Sequence, residues 1–353
     1  MHPVLDVHLG ALRANYRLLK DRHARKASAA VVKANAYGLG VEHCSKALWE
    51  EGCRDFFVAT LAEAIELRAC LPEASIGVFN GLLAGQEKDF LAHNLLPVLN
   101  EPGQLERWEK ASPHAKAIIH VDTGMTRLGF DSTQLHTVAG RHGAFLQERV
   151  VLLMSHLACA NEPLHPKNAE QLSRFEEAKK LLPNVRTSLC NSSGFFLDTA
   201  FHQELGRPGC ALYGINPTEA VNPMQPVATL TAPILQIRTL DRDETVGYGG
   251  TYPAAKNARI AITGLGYADG WFRSQSNHGF AYVAGHKMPI AGRVSMDMIA
   301  LDISQLPEPL LTEGLAAEFI NEKQTVDVVA QSCQTIGYEI FTRLGRRIQR
   351  TYK

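Results

Sequence analysis

Eight short apolar runs, spaced by amphipathic stretches of helical period, constrain this chain more than any other feature of it. The runs cover residues 29–32, 56–59, 76–79, 96–99, 117–121, 150–155, 187–190 and 205–207. They are rich in β-branched, aromatic and other apolar residues, and each is too short to make a helix. Between them, segments such as 61–70, 104–110 and 168–181 place apolar residues three and four apart with charges on the opposite face. A strand followed by a helix, repeated around one core over about 220 residues, predicts an α/β chain whose N-terminal part is a (β/α)8 TIM-type barrel.

The alternation stops at 216–227, Asn-Pro-Thr-Glu-Ala-Val-Asn-Pro-Met-Gln-Pro-Val, which holds three prolines and no helical period. Beyond it the apolar runs, at 229–239, 244–248, 259–263, 280–283 and 287–290, follow one another as β segments. A mainly antiparallel C-terminal β domain is therefore expected, with residues 1–220 as the barrel and 221–353 as the second domain. The 36 basic and 36 acidic residues cancel, which argues against a nucleic-acid partner. No apolar run has the length of a membrane span, and the opening Met-His-Pro-Val-Leu-Asp lacks the basic start and apolar core of a signal peptide. The seven cysteines are odd in number and form no Cys-x-x-Cys pair, so they read as small core residues of a cytoplasmic protein, with no disulfide and no metal site.

A barrel carries its chemistry at the C-terminal ends of its strands, with phosphate often held in the loops after the seventh and eighth. The first run delivers Lys33, followed by Tyr37-Gly-Leu-Gly40. A lysine at that mouth is partly desolvated, which favours the neutral amine able to condense with an aldehyde. On position alone it is more often a strand-end lysine that buries its stem and keeps its charge in water. The fifth run leads into Asp122-Thr-Gly-Met-Thr-Arg-Leu-Gly129, where Arg127 offers a fork of donors to a carboxylate or phenolate, or to a surface ion pair. The sixth ends in Ser155-His156-Leu157, a place where histidine often only packs. After the seventh comes Asn191-Ser192-Ser193-Gly194, and after the eighth Arg207-Pro208-Gly209-Cys210, both suited to bring backbone donors close to a phosphate. Barrel closure sets the first strand beside the eighth, so Lys33 and Arg207 are expected to face one mouth. In the second domain, Val246-Gly-Tyr-Gly-Gly-Thr-Tyr252 reads as a hairpin or bulge around Tyr248, with Gly266-Tyr-Ala-Asp-Gly-Trp271 and Gly292-Arg-Val-Ser-Met-Asp297 downstream.

The decapeptide Val31-Val-Lys-Ala-Asn-Ala-Tyr-Gly-Leu-Gly40 closely resembles the pyridoxal-phosphate lysine motif of the alanine racemases, fold-type III enzymes. The segments around Arg127, His156, Arg207, Tyr248, Tyr267 and Met296 resemble the same family, in family order. The resemblance implies an isomerase that interconverts L- and D-alanine on pyridoxal 5'-phosphate and supplies D-alanine for peptidoglycan. It implies a Schiff base on Lys33, phosphate contacts from Tyr37, Ser192, Gly209 and Cys210, and His156 beside the cofactor ring. Arg207 would donate to the pyridine nitrogen without giving up its proton, which keeps that nitrogen unprotonated and suits racemisation better than transamination. Arg127 would bind the substrate carboxylate, and the Met296 backbone would touch the substrate. Lys33 and Tyr248 would be the two bases, one on each face of the planar carbon. A phenol with a pKa near 10 needs help in that role, and Arg273 is the candidate helper, with Tyr267 in a supporting position. Arg346 aligns with a phosphate-binding tyrosine of the family, and a guanidinium can serve the same anion.

Two departures stand out. Leu39 replaces the histidine most common in the lysine motif, and His120 stands where many members carry a carbamylated lysine that orients the arginine. His120 cannot supply that anion, so Arg127 must be positioned by another carboxylate, a bound anion or a neutral imidazole. The resemblance further implies a homodimer with shared sites, Lys33 from one chain meeting Tyr248 and Met296 from the other. The alternatives are a racemase of serine or another amino acid, a fold-type III decarboxylase, which would not need Tyr248, and a non-catalytic cofactor carrier, which would not need the second domain.

Overall fold

The apolar runs form strands because each buries both faces, as a strand covered by helices outside and by its neighbours' side chains inside must. The computed structural model describes residues 2–23, 27–112 and 114–353. Seven parallel strands lie in chain order: Ala30–Val31, Asp55–Val58, Ser75–Val78, Leu96–Leu99, Ala117–His120, Val150–Met154 and Thr187–Ser188. The eighth, Leu205–Gly206, pairs in parallel with Ala27–Ser28, immediately before the first strand. Backbone bonds from Ala29 N–H to Gly206 O at 2.8 Å and from Val31 N–H to Pro208 O at 3.0 Å carry that pairing onward. On its other side, Arg207 N–H reaches Cys190 O at 2.9 Å, so the ring closes as a barrel. All eight expected runs are present, most with ends one residue from the expected ones. The helices outside are started by recognisable chemistry: Thr60 and Glu63 form a capping box on Leu61–Cys70, and Asp131 and Gln134 form another on Ser132–Arg141.

The chain folds as two compact units, one of residues 12–36 and 40–225, the other of 1–11, 37–39 and 226–353. A cut after residue 220 gives the first strand to the barrel, but Val4–Val7 belongs to the other unit. It pairs antiparallel with Ala228–Thr239 and parallel with Gln349–Tyr352. Its alternating burial, with Leu5 and Val7 fully buried, fits a strand with one covered face. Ala228–Thr239 is the spine of this unit, bonded also to Arg259–Thr263 and Ala316–Ile320. The expected segments at 244–248 and 287–290 shorten and shift to Glu244–Val246 and His286–Pro289. Strands Tyr252–Ala254 and Ile299–Asp302 and the helices Val326–Ser332 and Gly337–Arg343 complete it. The segment at 344–350 is basic, with three arginines. Arg350 is half-buried and donates to the carbonyls of Gly38 at 2.8 Å, Leu344 at 2.9 Å and Gly345 at 3.1 Å. Gly38 is a glycine of necessity: its φ is +86°, and a Cβ there would lie 2.3 Å from the carbonyl oxygen of Phe341.

No described helix is long and apolar enough to cross a membrane, and no cluster of three or more metal-binding side chains occurs among the described residues.

Candidate active site

Lys33 stands where the first barrel strand ends and opens an unusual turn. Residues 34–37 all have positive φ: 52° at Ala34, 54° at Asn35, 52° at Ala36 and 55° at Tyr37. This is a left-handed helical turn built without glycine, and each such residue costs roughly 1–2 kcal/mol against the right-handed form. Local bonds hold it: Ala36 N–H to Val32 O at 2.9 Å, Gly40 N–H to Asn35 O at 2.9 Å, and Val41 N–H to Asn35 Oδ1 at 2.7 Å. Glu63 accepts the Ala34 N–H at 2.7 Å. The turn thus fixes both Lys33 and Tyr37, whose ring is 5.9 Å from that of Tyr338. Burial pulls the Lys33 amine below the usual lysine range, the nearby charge of Arg127 pulls it further, and Glu63 opposes both.

Arg207 ends the eighth strand as a fully enclosed guanidinium. One nitrogen bonds Ser188 Oγ and another the Ser155 carbonyl, while Nε is buried without a hydrogen-bond partner. Burial lowers its pKa to about 10, so it remains a cation at neutral pH. A buried charged group with one orphan donor fits an acceptor that the protein itself does not provide. Beside it, Ser192 Oγ accepts the N–H groups of Gly209 at 2.9 Å and Ala211 at 3.3 Å, so the loops after the seventh and eighth strands are bonded into one cup. Cys210, buried, opens the short turn Cys210–Tyr213 on that cup.

His156 follows the sixth strand, its imidazole held neutral well below the usual range, first by burial and then by Arg207, Arg127, His120 and Lys33. His120 is buried at the end of the fifth strand, and its Nδ1 lies 2.8 Å from Asn100 Oδ1. Asn100 spends its amide hydrogens on the carbonyls of Phe79 at 3.0 Å and Val98 at 2.8 Å, so Oδ1 is the acceptor and His120 Nδ1 the donor. Burial with neighbouring Arg207 and Arg127 takes His120 down to about 3. It is therefore a neutral imidazole whose remaining nitrogen is an acceptor. Arg127 itself is exposed on a loop that Asp122 fastens by accepting the N–H groups of Gly124 at 2.8 Å, Met125 at 2.9 Å and Thr126 at 3.1 Å. With Lys33, Arg127 and Arg207 near one another, this mouth is cationic and suits a ligand with phosphate and carboxylate groups.

The other unit carries the remaining candidates. Tyr248 is 71% exposed on a turn whose flanking Gly247 and Gly249 have φ of 76° and 75°. The arginine brought to this turn is Arg293, whose guanidinium carbon lies 3.3 Å from where a Gly249 Cβ would sit. Arg273 belongs to a separate turn, Arg273–Gln275. Tyr267 N–H bonds Ser295 O at 3.0 Å and Ala268 N–H bonds Met296 O at 2.9 Å, so the Tyr267 and Met296 loops form one surface. Arg347 clamps it, bonding the fully buried Asp269 at 2.8 Å and Asp297 at 2.7 Å. Arg346 is exposed and makes no hydrogen bond or ion pair among the described residues.

Residues 7–217 match the family model for the N-terminal domain of alanine racemase, and residues 227–352 match that for its C-terminal domain. The chain belongs to the alanine racemase family. It is 46% identical to an alanine racemase of Acidiphilium cryptum, spanning 100% of this chain and 99% of that one. It is 44% identical to an alanine racemase of Rhodospirillum rubrum, spanning 99% and 95%. Among solved structures, the alanine racemase of Bartonella henselae with covalently bound pyridoxal phosphate superposes with a TM-score of 0.94 at 36% identity, over the whole of both chains. Four residues of this alanine racemase family member carry interactions that the sequence motifs did not assign to them: Glu63, Asn100, Arg293 and Arg347. Glu63 was legible as a helix cap, three residues after Thr60, but not as a partner of the lysine turn. Asn100 and Arg347 owe their roles to pairings 20 and 78 positions away in the chain, which no local pattern reports.

Proposed function

We propose that this protein interconverts L-alanine and D-alanine, using pyridoxal phosphate held on Lys33, as a homodimer. The observation that carries the reading is the buried Arg207 with an orphan Nε–H, set in the same mouth as a lysine whose amine is biased toward its neutral form. Pyridoxal phosphate, when bound, supplies an aldehyde for the lysine and a conjugated ring that spreads the charge left as the α-proton departs. Arg207 would meet its ring nitrogen, and Tyr37, Ser192, Gly209, Cys210 and Arg346 its phosphate. Arg127 would take the substrate carboxylate, a bidentate pairing suited to guanidinium. Lys33 would move the proton on one face of the α-carbon and Tyr248 on the other, Arg293 rather than Arg273 being the cation at the tyrosine's turn. Support for a partner copy comes from the C-terminal unit, where Leu235, Tyr248, Tyr267, Met296 and Met298 are all exposed. Apolar groups of that size grouped on one unit suit an interface. In that dimer, Tyr248 and Met296 of one protomer would serve Lys33 of the other.

The deciding experiment measures D-alanine formed from L-alanine, with L-serine and L-lysine run alongside. Turnover of alanine above the others supports the reading; a larger rate on serine or lysine moves the substrate, and carbon dioxide release from any of them replaces racemisation by decarboxylation. Because His120 is an imidazole, which unlike a lysine amine forms no stable carbamate, the same assay should be indifferent to stripping dissolved carbon dioxide. Activity lost on stripping and restored by bicarbonate would reveal a carbamate on a lysine elsewhere. Arg207→Glu should raise the pyruvate released per racemisation event, because a carboxyl group there allows the ring nitrogen to keep a proton. Expressing the result as a ratio within one sample removes the effect of any lost folded protein, and an unchanged ratio would refute this role of Arg207.

A further inference from the structure

Glu63 has more bonds than a helix cap requires. In a capping box the glutamate side chain returns to the backbone of the capping residue, and Thr60 N–H indeed reaches Oε2 at 3.0 Å. The same oxygen accepts Ala59 N–H at 2.8 Å. The other oxygen accepts Ala34 N–H at 2.7 Å, from the residue next to Lys33 and 29 positions away in the chain. One carboxylate therefore joins the end of the second barrel strand, the start of the helix Leu61–Cys70 and the first residue of the left-handed turn.

We propose that Glu63 is a positioning residue for Lys33, holding the left-handed turn through Ala34 N–H so that the lysine leaves the strand in one direction. Four consecutive positive-φ residues without glycine are unfavourable by themselves, and Ala34 is where the run begins. The neighbouring bonds of Asn35 and Ala36 are made by the turn to itself or to residues adjoining it in sequence. Glu63 alone among these acceptors lies on a separate element, and a carboxylate accepting N–H makes the stronger, charge-assisted bond. It has a second effect on the same lysine. The charges facing the Lys33 amine are Arg127 on the loop after the fifth strand, His156 after the sixth, held neutral, and Glu63 on its helix. Only Glu63 is negative, so removing its charge takes the amine further below the usual lysine range.

This inference rests on Lys33 being the cofactor lysine, and its test separates the two. Glu63→Gln, Glu63→Asp, Thr60→Ala and Lys33→Ala proteins are stripped of cofactor, then titrated with pyridoxal phosphate by visible absorbance. In the stripped proteins, acetylation of Lys33 by acetic anhydride is followed against pH by mass spectrometry, which needs no activity. Glutamine has one acceptor oxygen where the carboxylate has two, so Glu63→Gln should weaken cofactor binding by about tenfold and move the labelling midpoint to lower pH. Thr60→Ala removes the other half of the capping box and should leave both readings within about twofold of the parent. Glu63→Asp keeps the charge but is one methylene short of Ala34. It should weaken cofactor binding while holding the labelling midpoint near the parental value, and it serves if the glutamine variant does not fold. Equal effects of Glu63→Gln and Thr60→Ala, or an aspartate variant that binds like the parent, would reduce Glu63 to a helix cap. A Lys33→Ala protein that still holds the cofactor covalently would overturn the lysine assignment instead.

Discussion

Replacement of Lys33 by alanine is expected to remove the visible absorption of the bound cofactor and to cut racemisation by at least about 10⁴-fold. The magnitude follows from two losses at one atom. In the proposed reading Nζ is the covalent anchor, and without it pyridoxal phosphate would be held only by phosphate and ring contacts. Nζ would also be one of the two proposed bases, and a positioned acid or base typically accounts for about 10²–10⁴-fold by itself. The fold should survive, because Lys33 is only partly buried and makes no hydrogen bond or ion pair among the described residues, while the turn behind it is held by Glu63 and Asn35. Circular dichroism and thermal melting close to the parent, with absorbance and activity both lost, is the expected result. Retained absorbance after borohydride reduction, in a protein whose mass spectrum shows a cofactor adduct, would move the anchor to another lysine.

The second large effect is a recovery. Lys33→Ala and Tyr248→Phe proteins, each inactive alone, should regain about a quarter of the parental activity when mixed and allowed to exchange subunits. With random exchange, about half of the dimers are mixed. In a mixed dimer one site collects both substitutions, and the other joins the intact Lys33 of one protomer to the intact Tyr248 of its partner. Tyr248 is suited to reach a partner: it is 71% exposed and carried on a glycine-flanked turn at the surface of its unit. If native mass spectrometry proves exchange and the mixture stays inactive, each site is built within one chain, while the two bases keep their assignment.

How far the sequence carried this picture depended on the range of the interactions involved. The barrel strands were legible because each is an apolar run bounded by a helix with its own period, and both signals are local. Val4–Val7 carries only an alternating pattern, which fits either unit, and its true neighbours lie more than 200 residues ahead. The left-handed turn was invisible for a different reason. Ala34, Ala36 and Tyr37 have no intrinsic preference for it, only Asn35 tolerates it well, and bonds to Glu63 and the strand end impose it. Lys33, Arg207 and the loops after the seventh and eighth strands were legible because architecture fixes where strand ends go. The partners that tune them were not. Asn100 sets the tautomer of His120 and Arg293 lies against the glycine turn that carries Tyr248, both through contacts between segments that sequence alone does not align.

The pairing of Val4–Val7 with Gln349–Tyr352 sets the order in which this protein can be completed at the ribosome. The side chains of Asp6 and Thr351 meet across 345 positions, so Val4–Val7 waits, edge open, until residues 349–352 emerge. The barrel's segments are translated before that happens, and domains tend to fold as they appear. A chain that stopped before residue 349 would therefore carry its barrel sequence whole yet leave Val4–Val7 with a single neighbour and an exposed edge ready to pair with another copy. Quality control over synthesis of residues 349–352 is thus also control over aggregation.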